Sequence, residues 1–169
     1  MYCDKRRNHN KRFVLPRIER INMKLKFKKM REGAVIPKRM TAHSAGCDLT
    51  ACLESAVTIG AGETAMIPTG VAAQLDCNGE YVLLAYARSS LAAKHGLAPA
   101  NCVGVIDMDY RGEIFIPLHN SSKEAYTVQN GERIAQLVVT PAVFAEIEEC
   151  EELTDTERGS GGFGSTGKY

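Results

Sequence analysis

The residues best equipped for chemistry sit in polar breaks between apolar runs. In VGVIDMDYRGEIFIPL, residues 103 to 118, the break IDMDYRGE carries Asp107 and Tyr110. A carboxylate in such a place can accept a proton from water and orient that water as a nucleophile, provided cations and a dry pocket hold the geometry. In ARSSLAAKHG, residues 87 to 96, Arg88 is followed by Ser89 and Ser90. A guanidinium fork beside hydroxyl and backbone donors suits phosphate oxygens. GERIAQLVV, residues 131 to 139, presents Gln136, and the glycine-rich RGSGGFGSTG, residues 158 to 167, presents Arg158 among freed backbone N–H groups. Each segment taken singly has a plainer reading. The acids of the first face water in a hairpin, Ser89 or Ser90 caps a helix, Gln136 points out of a strand, and the glycine-rich end is a linker. That end echoes a P-loop, yet it lacks the Walker A lysine, and no strand immediately precedes it.

The elements that must position these residues read as β. From about residue 45, short apolar runs alternate with turn residues: CDLTACL, ETAMIP, GVAAQL, EYVLLAYA, CVGVID, GEIFIPL, AYTVQ, RIAQLVV and VFAEIE. Their spacing leaves no room for repeated βαβ crossovers, so the expected fold is all-β, a jelly-roll-like distorted barrel rather than a doubly wound α/β sheet. SSLAAKH, residues 89 to 95, is the one expected helix. Pro68, Pro99, Pro117 and Pro141 fall near the ends of runs, as expected of edges and turns. MKLKFKKM alternates Leu25 and Phe27 with lysines, so the domain is expected to begin at Met23, itself a possible natural start. Residues 1 to 22 form a basic, disordered extension on this reading, 23 to 157 the β domain, and 158 to 169 a mobile lid.

The chain has 169 residues, 44% of them hydrophobic, enough for one core. No apolar run approaches the roughly 20 residues needed to cross a bilayer, and no secretory signal is evident. A cytoplasmic protein with no membrane partner is the expectation. Six cysteines and four histidines are scattered without CxxC or zinc-finger spacing, so they are read as reduced or incidental. The net charge of +1 conceals a division. Residues 1 to 39 hold 14 Lys or Arg against 3 acids, whereas residues 40 to 169 hold 7 against 17, giving +11 and −10. The body is therefore not built to hold duplex DNA through a broad basic face. The basic arm keeps nucleic-acid binding open as a secondary property.

Five segments in order, SAGCDL at 44 to 49, RSSLA at 88 to 92, GVIDMDYRGE at 104 to 113, GERIAQL at 131 to 137 and RGSGGFGSTG at 158 to 167, resemble the motifs of the trimeric deoxyuridine triphosphatase (dUTP pyrophosphatase) family. The resemblance implies the dUTPase-like β-clip fold, a homotrimer with shared active sites, and Mg2+-dependent hydrolysis of dUTP to dUMP and pyrophosphate by water attack at the α-phosphorus. It implies that Asp107 activates the water and contacts the sugar 3′-hydroxyl, and that Tyr110 packs beneath deoxyribose and leaves no space for a ribose 2′-hydroxyl. Asn101 and the backbone from Gly104 read uracil, and Phe163 covers the base. Arg88, Ser89, Ser90, Gln136, Arg158, Gly164 and Ser165 hold phosphates, with Ser90 standing where the family commonly has glycine. Asp48 supports Mg2+ indirectly, through water. Lowered dUTP and a supply of dUMP for dTMP synthesis follow from the same resemblance. The related dCTP deaminases carry a catalytic glutamate where Pro117 stands here, and proline cannot shuttle a proton. A pyrophosphatase of looser base choice is the nearer alternative.

Overall fold

The computed structural model describes residues 23–162. The basic extension 1 to 22 and the site candidates Phe163, Gly164 and Ser165 lie outside the described residues. In chain order the elements are β1 (Lys24–Lys29), β2 (Gly46–Thr50), β3 (Val57–Ile59), β4 (Thr64–Pro68), β5 (Val71–Asp76), β6 (Tyr81–Ala87), α1 (Ser89–His95), β7 (Leu97–Pro99), β8 (Gly104–Ile106), β9 (Phe115–Asn120), β10 (Tyr126–Val128) and β11 (Arg133–Pro141).

Every strand pairing among them is antiparallel. They form four small sheets, ordered β1-β5, β10-β3, β2-β11-β6-β8 and β4-β9-β7. The predominantly β architecture with one short helix is the β-clip arrangement that the strand spacing and motifs led us to expect. Period-two alternation explains which faces meet. Along β6, Tyr81, Leu83 and Ala85 are buried while their neighbours are only half-buried. Leu49, Ile67, Val71, Leu97 and Leu118, from five different strands, are wholly buried in one core cluster. In β1 the lysines stay exposed while Leu25 and Phe27 pack on that core, opposite Leu75 and Ala73 of β5.

Four local expectations are corrected. The VFAEIE run forms no strand, because it has no partner strand among the described residues; Val143 and Ile147 are 90% and 98% exposed. The three-residue strands β3 and β7 were not anticipated, being too short to show a period. Pro117 lies inside β9 rather than at its end. It is tolerated there because pairing with β7 has just stopped at Pro99 and Leu118, and the Pro117 carbonyl still accepts the Ala100 N–H at 2.7 Å. Neither serine caps α1. Its N-cap is Arg88, with no side-chain cap, so the Ser89 and Ser90 hydroxyls remain exposed. The helix ends at Gly96, whose left-handed φ of 66° lets its N–H reach Ala92 O.

Asn120 binds the sheets together. It is wholly buried, its Nδ2 donates to Ile59 O at 2.9 Å and Glu124 O at 2.8 Å, and its Oδ1 accepts from Ser122 N and Oγ. All its polar capacity is thereby used, which a buried amide requires. Asn120→Ala is expected to cost about 2 kcal/mol by stranding those partners, measured by urea unfolding at fixed protein concentration. Unchanged stability would show that the partners satisfy one another without it.

Candidate active site

The register of β11 assembles the first group of candidates. Gln136 lies opposite Asp48 of β2 on one side and Tyr86 of β6 on the other. Directly opposed residues on adjacent strands share a face, so Gln136 stands beside Asp48. The Asp48 side chain, only 16% exposed, is held by two cations: Arg133 Nη1 at 2.9 Å from Oδ2 and Arg88 Nε at 3.4 Å from Oδ1. Arg88 Nη1 also donates to Arg133 O at 3.0 Å, and Gln136 Nε2 donates to Ala87 O at 3.0 Å. A Cβ on Gly46 would come within 3.0 Å of Gln136 Oε1, so the bare glycine makes room for the carboxamide. One carboxylate against two guanidinium groups leaves an excess of positive charge, suited to an anion.

Arg133 was not among the residues singled out from sequence. It lies inside GERIAQL, but nothing local distinguishes an arginine at the start of a strand from a solvated charge. A bulge between Arg133 and Ala135 turns it toward Asp48.

The second group lines a cavity of about 350 Å3 between the β7–β8 turn and β9. Asn101, Gly104, Asp107 and Tyr110 all face it, with Met66 and Phe115 as apolar walls. Gly104 lies tight against β6 at the cavity floor: a Cβ there would meet Ala85 Cβ at 3.2 Å. Asn101 is exposed in a tight turn where Cys102 N donates to Pro99 O at 2.9 Å and Cys102 adopts φ 62°, rare for a residue with a side chain. Asp107 follows β8, and its carbonyl accepts the Tyr110 N–H at 3.2 Å. Arg111 closes the same loop, donating from Nη1 to the Met108 and Tyr110 carbonyls. Tyr110 OH donates to Glu113 O at 2.9 Å, and the ring folds so closely over Gly112 that no Cβ would fit there. The half-exposed ring is left as a flat wall of the cavity. Pro117 also lines it and offers no ionisable group.

The chain does not bring every candidate to one place. Asp48, Arg88, Ser89, Ser90 and Gln136 do not line the cavity that holds Asp107. Arg158 is exposed, and its Nε donates to Gly161 O at 2.9 Å within its own turn. Among the described residues no cluster of three or more His, Cys, Asp or Glu could cage a metal ion. The two arginine contacts leave lone pairs on the Asp48 carboxylate, which fits a cation carried by ligand phosphates and met through water. No helix among the described residues is long and apolar enough to cross a membrane. All five described cysteines are free.

Comparison with known proteins accounts for this arrangement. The dUTPase family model matches residues 32–167. A deoxyuridine 5'-triphosphate nucleotidohydrolase of Nautilia profundicola is 50% identical over 146 residues, covering 86% of this chain and 100% of the relative. That of Neisseria meningitidis serogroup B is 45% identical, covering 88% and 99%. Among solved structures, a mutant dUTPase of Staphylococcus bacteriophage 80alpha with dUpNHpp superposes with a TM-score of 0.73 at 29% identity, over 86% of this chain and 99% of that one. A mutant dUTPase from phage phi11 of S. aureus, described with a coordinated structural Mg(II) ion, gives 0.67 at 25% identity over 78% and 99%. A family model that spans all five ordered motifs, and relatives matched along their whole length, make this chain a member of the dUTPase family.

Proposed function

We propose that this chain hydrolyses dUTP to dUMP and pyrophosphate, with Asp107 as the group that activates the attacking water. The observation that carries the reading is the convergence of Asn101, Gly104, Asp107 and Tyr110 on one cavity. Each supplies a different requirement. The Asn101 amide and the backbone at Gly104 match the donor and acceptor pattern of the uracil edge, where cytosine would leave a buried mismatch. The Tyr110 ring forms a platform for deoxyribose. Asp107 takes a proton from water as the new bond forms at the α-phosphorus, the bond from that phosphorus to the bridging oxygen breaks, and pyrophosphate leaves. Little covalent help is needed for such a transfer, so alignment and charge neutralisation carry most of it. Mg2+, when bound with the triphosphate, would supply additional charge neutralisation there. Asp48 would meet it only through water.

Phosphate binding falls to Arg88, Ser89, Ser90 and Gln136, to which the geometry adds Arg133. These residues stand apart from the Asp107 cavity within one chain, which supports a site completed by another copy in a homotrimer. The exposed Val143, Phe144, Ile147 and Leu153 after β11 offer apolar side chains for another copy to cover, which supports the same assembly. Residues 158 to 169 act on this reading as a lid, Arg158, Gly164 and Ser165 on phosphate and Phe163 over the base, excluding bulk water on closure. The expected setting is the cytoplasm. There the enzyme lowers dUTP and supplies dUMP for dTMP synthesis. Nucleic-acid binding by residues 1 to 22 stays a secondary possibility outside the described residues.

A nucleotide panel with Mg2+ tests the assignment by product identity. Pyrophosphate and dUMP from dUTP, with little turnover of dTTP, dCTP or UTP, is expected; a uridine nucleotide from dCTP would overturn it. Asp107→Asn should bind dUTP with near-normal affinity and lose about 100-fold or more in kcat, and near-normal turnover in single-turnover assays would remove Asp107 from the role. Deleting residues 158 to 169 should leave the oligomer intact by light scattering and lower kcat/KM by about 100-fold or more. Dissociation of the oligomer would instead identify the segment as a strap.

A further inference from the structure

We propose that Glu113, clamped by Arg31, is a positioning residue that stiffens the Tyr110 platform and thereby sets the discrimination between deoxyribose and ribose nucleotides. The inference rests on the reading of Tyr110 as the sugar platform and names what holds that platform still. Neither Glu113 nor Arg31 is needed to touch the sugar.

Glu113 links the two ends of a short mechanical chain. Its carbonyl accepts the Tyr110 hydroxyl at 2.9 Å. Its carboxylate accepts Arg31 Nε at 2.8 Å on Oε1 and 2.9 Å on Oε2, and Oε1 also accepts the Gly70 N–H at 2.9 Å. The carboxylate is 13% exposed, so these charge-assisted contacts are poorly replaced by water. The guanidinium of Arg31 is held above its ordinary value, chiefly by the hydrogen bond to Glu113. It also lies 5.6 Å from the centroid of the Phe115 ring, which with Glu113 lines the nucleoside cavity.

The far end of the chain cannot give. Gly70 sits at φ 69°, packed so closely that an added Cβ would come within 2.7 Å of Ala34 Cβ and 2.8 Å of Cys52 Sγ. Ala34 is buried and closes a turn back onto Arg31 through its N–H at 3.4 Å from Arg31 O. The Gly70 N–H that grips the Glu113 carboxylate is thus seated against the core, while the Arg31 side chain, 41% exposed, reaches the carboxylate from the surface. Asp109, Tyr110 and Arg111 are exposed, and the other ties of the Tyr110 loop, Tyr110 N–H to Asp107 O and Arg111 Nη1 to the Met108 and Tyr110 carbonyls, lie within the loop itself. Steric exclusion of a hydroxyl depends on the wall refusing to move. A small outward shift of the ring would admit a 2′-oxygen, and Glu113 is the residue that resists that shift.

The test compares kcat and KM for dUTP and UTP in Glu113→Ala, Glu113→Gln, Arg31→Gln, Tyr110→Phe and Tyr110→Ala. Glu113→Ala should reduce the dUTP to UTP ratio of kcat/KM by about 10-fold or more, mainly through a lower KM for UTP, with kcat for dUTP nearly unchanged. Arg31→Gln should move it in the same direction by less. Glu113→Gln, which keeps an acceptor for Gly70, should recover part of the ratio. Tyr110→Phe keeps the ring and cuts only the link to Glu113, so adding Glu113→Ala to it should produce little further loss. A lower Tm in Glu113→Ala and Arg31→Gln with the ratio within about 2-fold of wild type, well inside the 10-fold expected, would reduce the pair to a structural staple. If Glu113→Ala does not fold, Arg31→Gln decides by the same ratio. An unchanged ratio in Tyr110→Ala would overturn the platform reading and this inference with it. A collapsed ratio in Tyr110→Ala alone would overturn only the role of Glu113 and Arg31.

Discussion

The arrangement of the candidate site depends on the pairing of β11 with two strands at once. Lying between β2 and β6, it sets Gln136 opposite Asp48 and Tyr86 in a single row. Ile134, Ala135 and Leu137 are almost wholly buried and hold that register. A slip of one residue would exchange the faces, drive Gln136 into the core and expose an apolar row instead. The polar row is therefore enforced by apolar burial on the opposite side of the same strand.

A regular strand could not deliver Arg133 and Gln136 to one carboxylate, since residues three apart point to opposite faces. The bulge between Arg133 and Ala135 removes that obstacle. Asp48 then becomes the common partner of Arg88 and Arg133, side chains brought from two different strand ends. Paired this way, the guanidinium groups are ordered before any anion arrives, which lowers the conformational cost of binding one. The same reasoning applies to the cavity that holds Asp107. Its floor approaches closely because Gly104 has no side chain, and its tyrosine wall folds over a second glycine, Gly112. Small residues create the space, and hydrogen bonds to Glu113 fix what borders it.

On the proposed reading, the surface of one chain is finished by others of its kind. The segment after β11 is acidic and carries large apolar side chains that are left exposed among the described residues. The phosphate candidates and the Asp107 cavity are separate regions of one subunit. On the proposed reading these are two aspects of one design, with the catalytic geometry completed only across subunits.

Much of this was legible in the sequence. Alternation along residues 24 to 29 and short apolar runs at 81 to 87 and 133 to 139 identified strands, close spacing excluded crossover helices, and the motif segments held Gly104, Asp107 and Tyr110, which line the cavity. Those signals are local: a side chain's polarity, a period of two, a glycine beside an acid. The sequence could not reveal that Arg133 turns to Asp48, that Glu113 joins Arg31 across 82 residues, that the short β3 and β7 form, or that the VFAEIE run finds no partner strand among the described residues. Each of these is decided by strand register, by a bulge, or by which edge remains open. Such facts belong to contacts between segments far apart in the chain, so residue types and spacing set which groups are available, and only the packed sheets decide which of them meet.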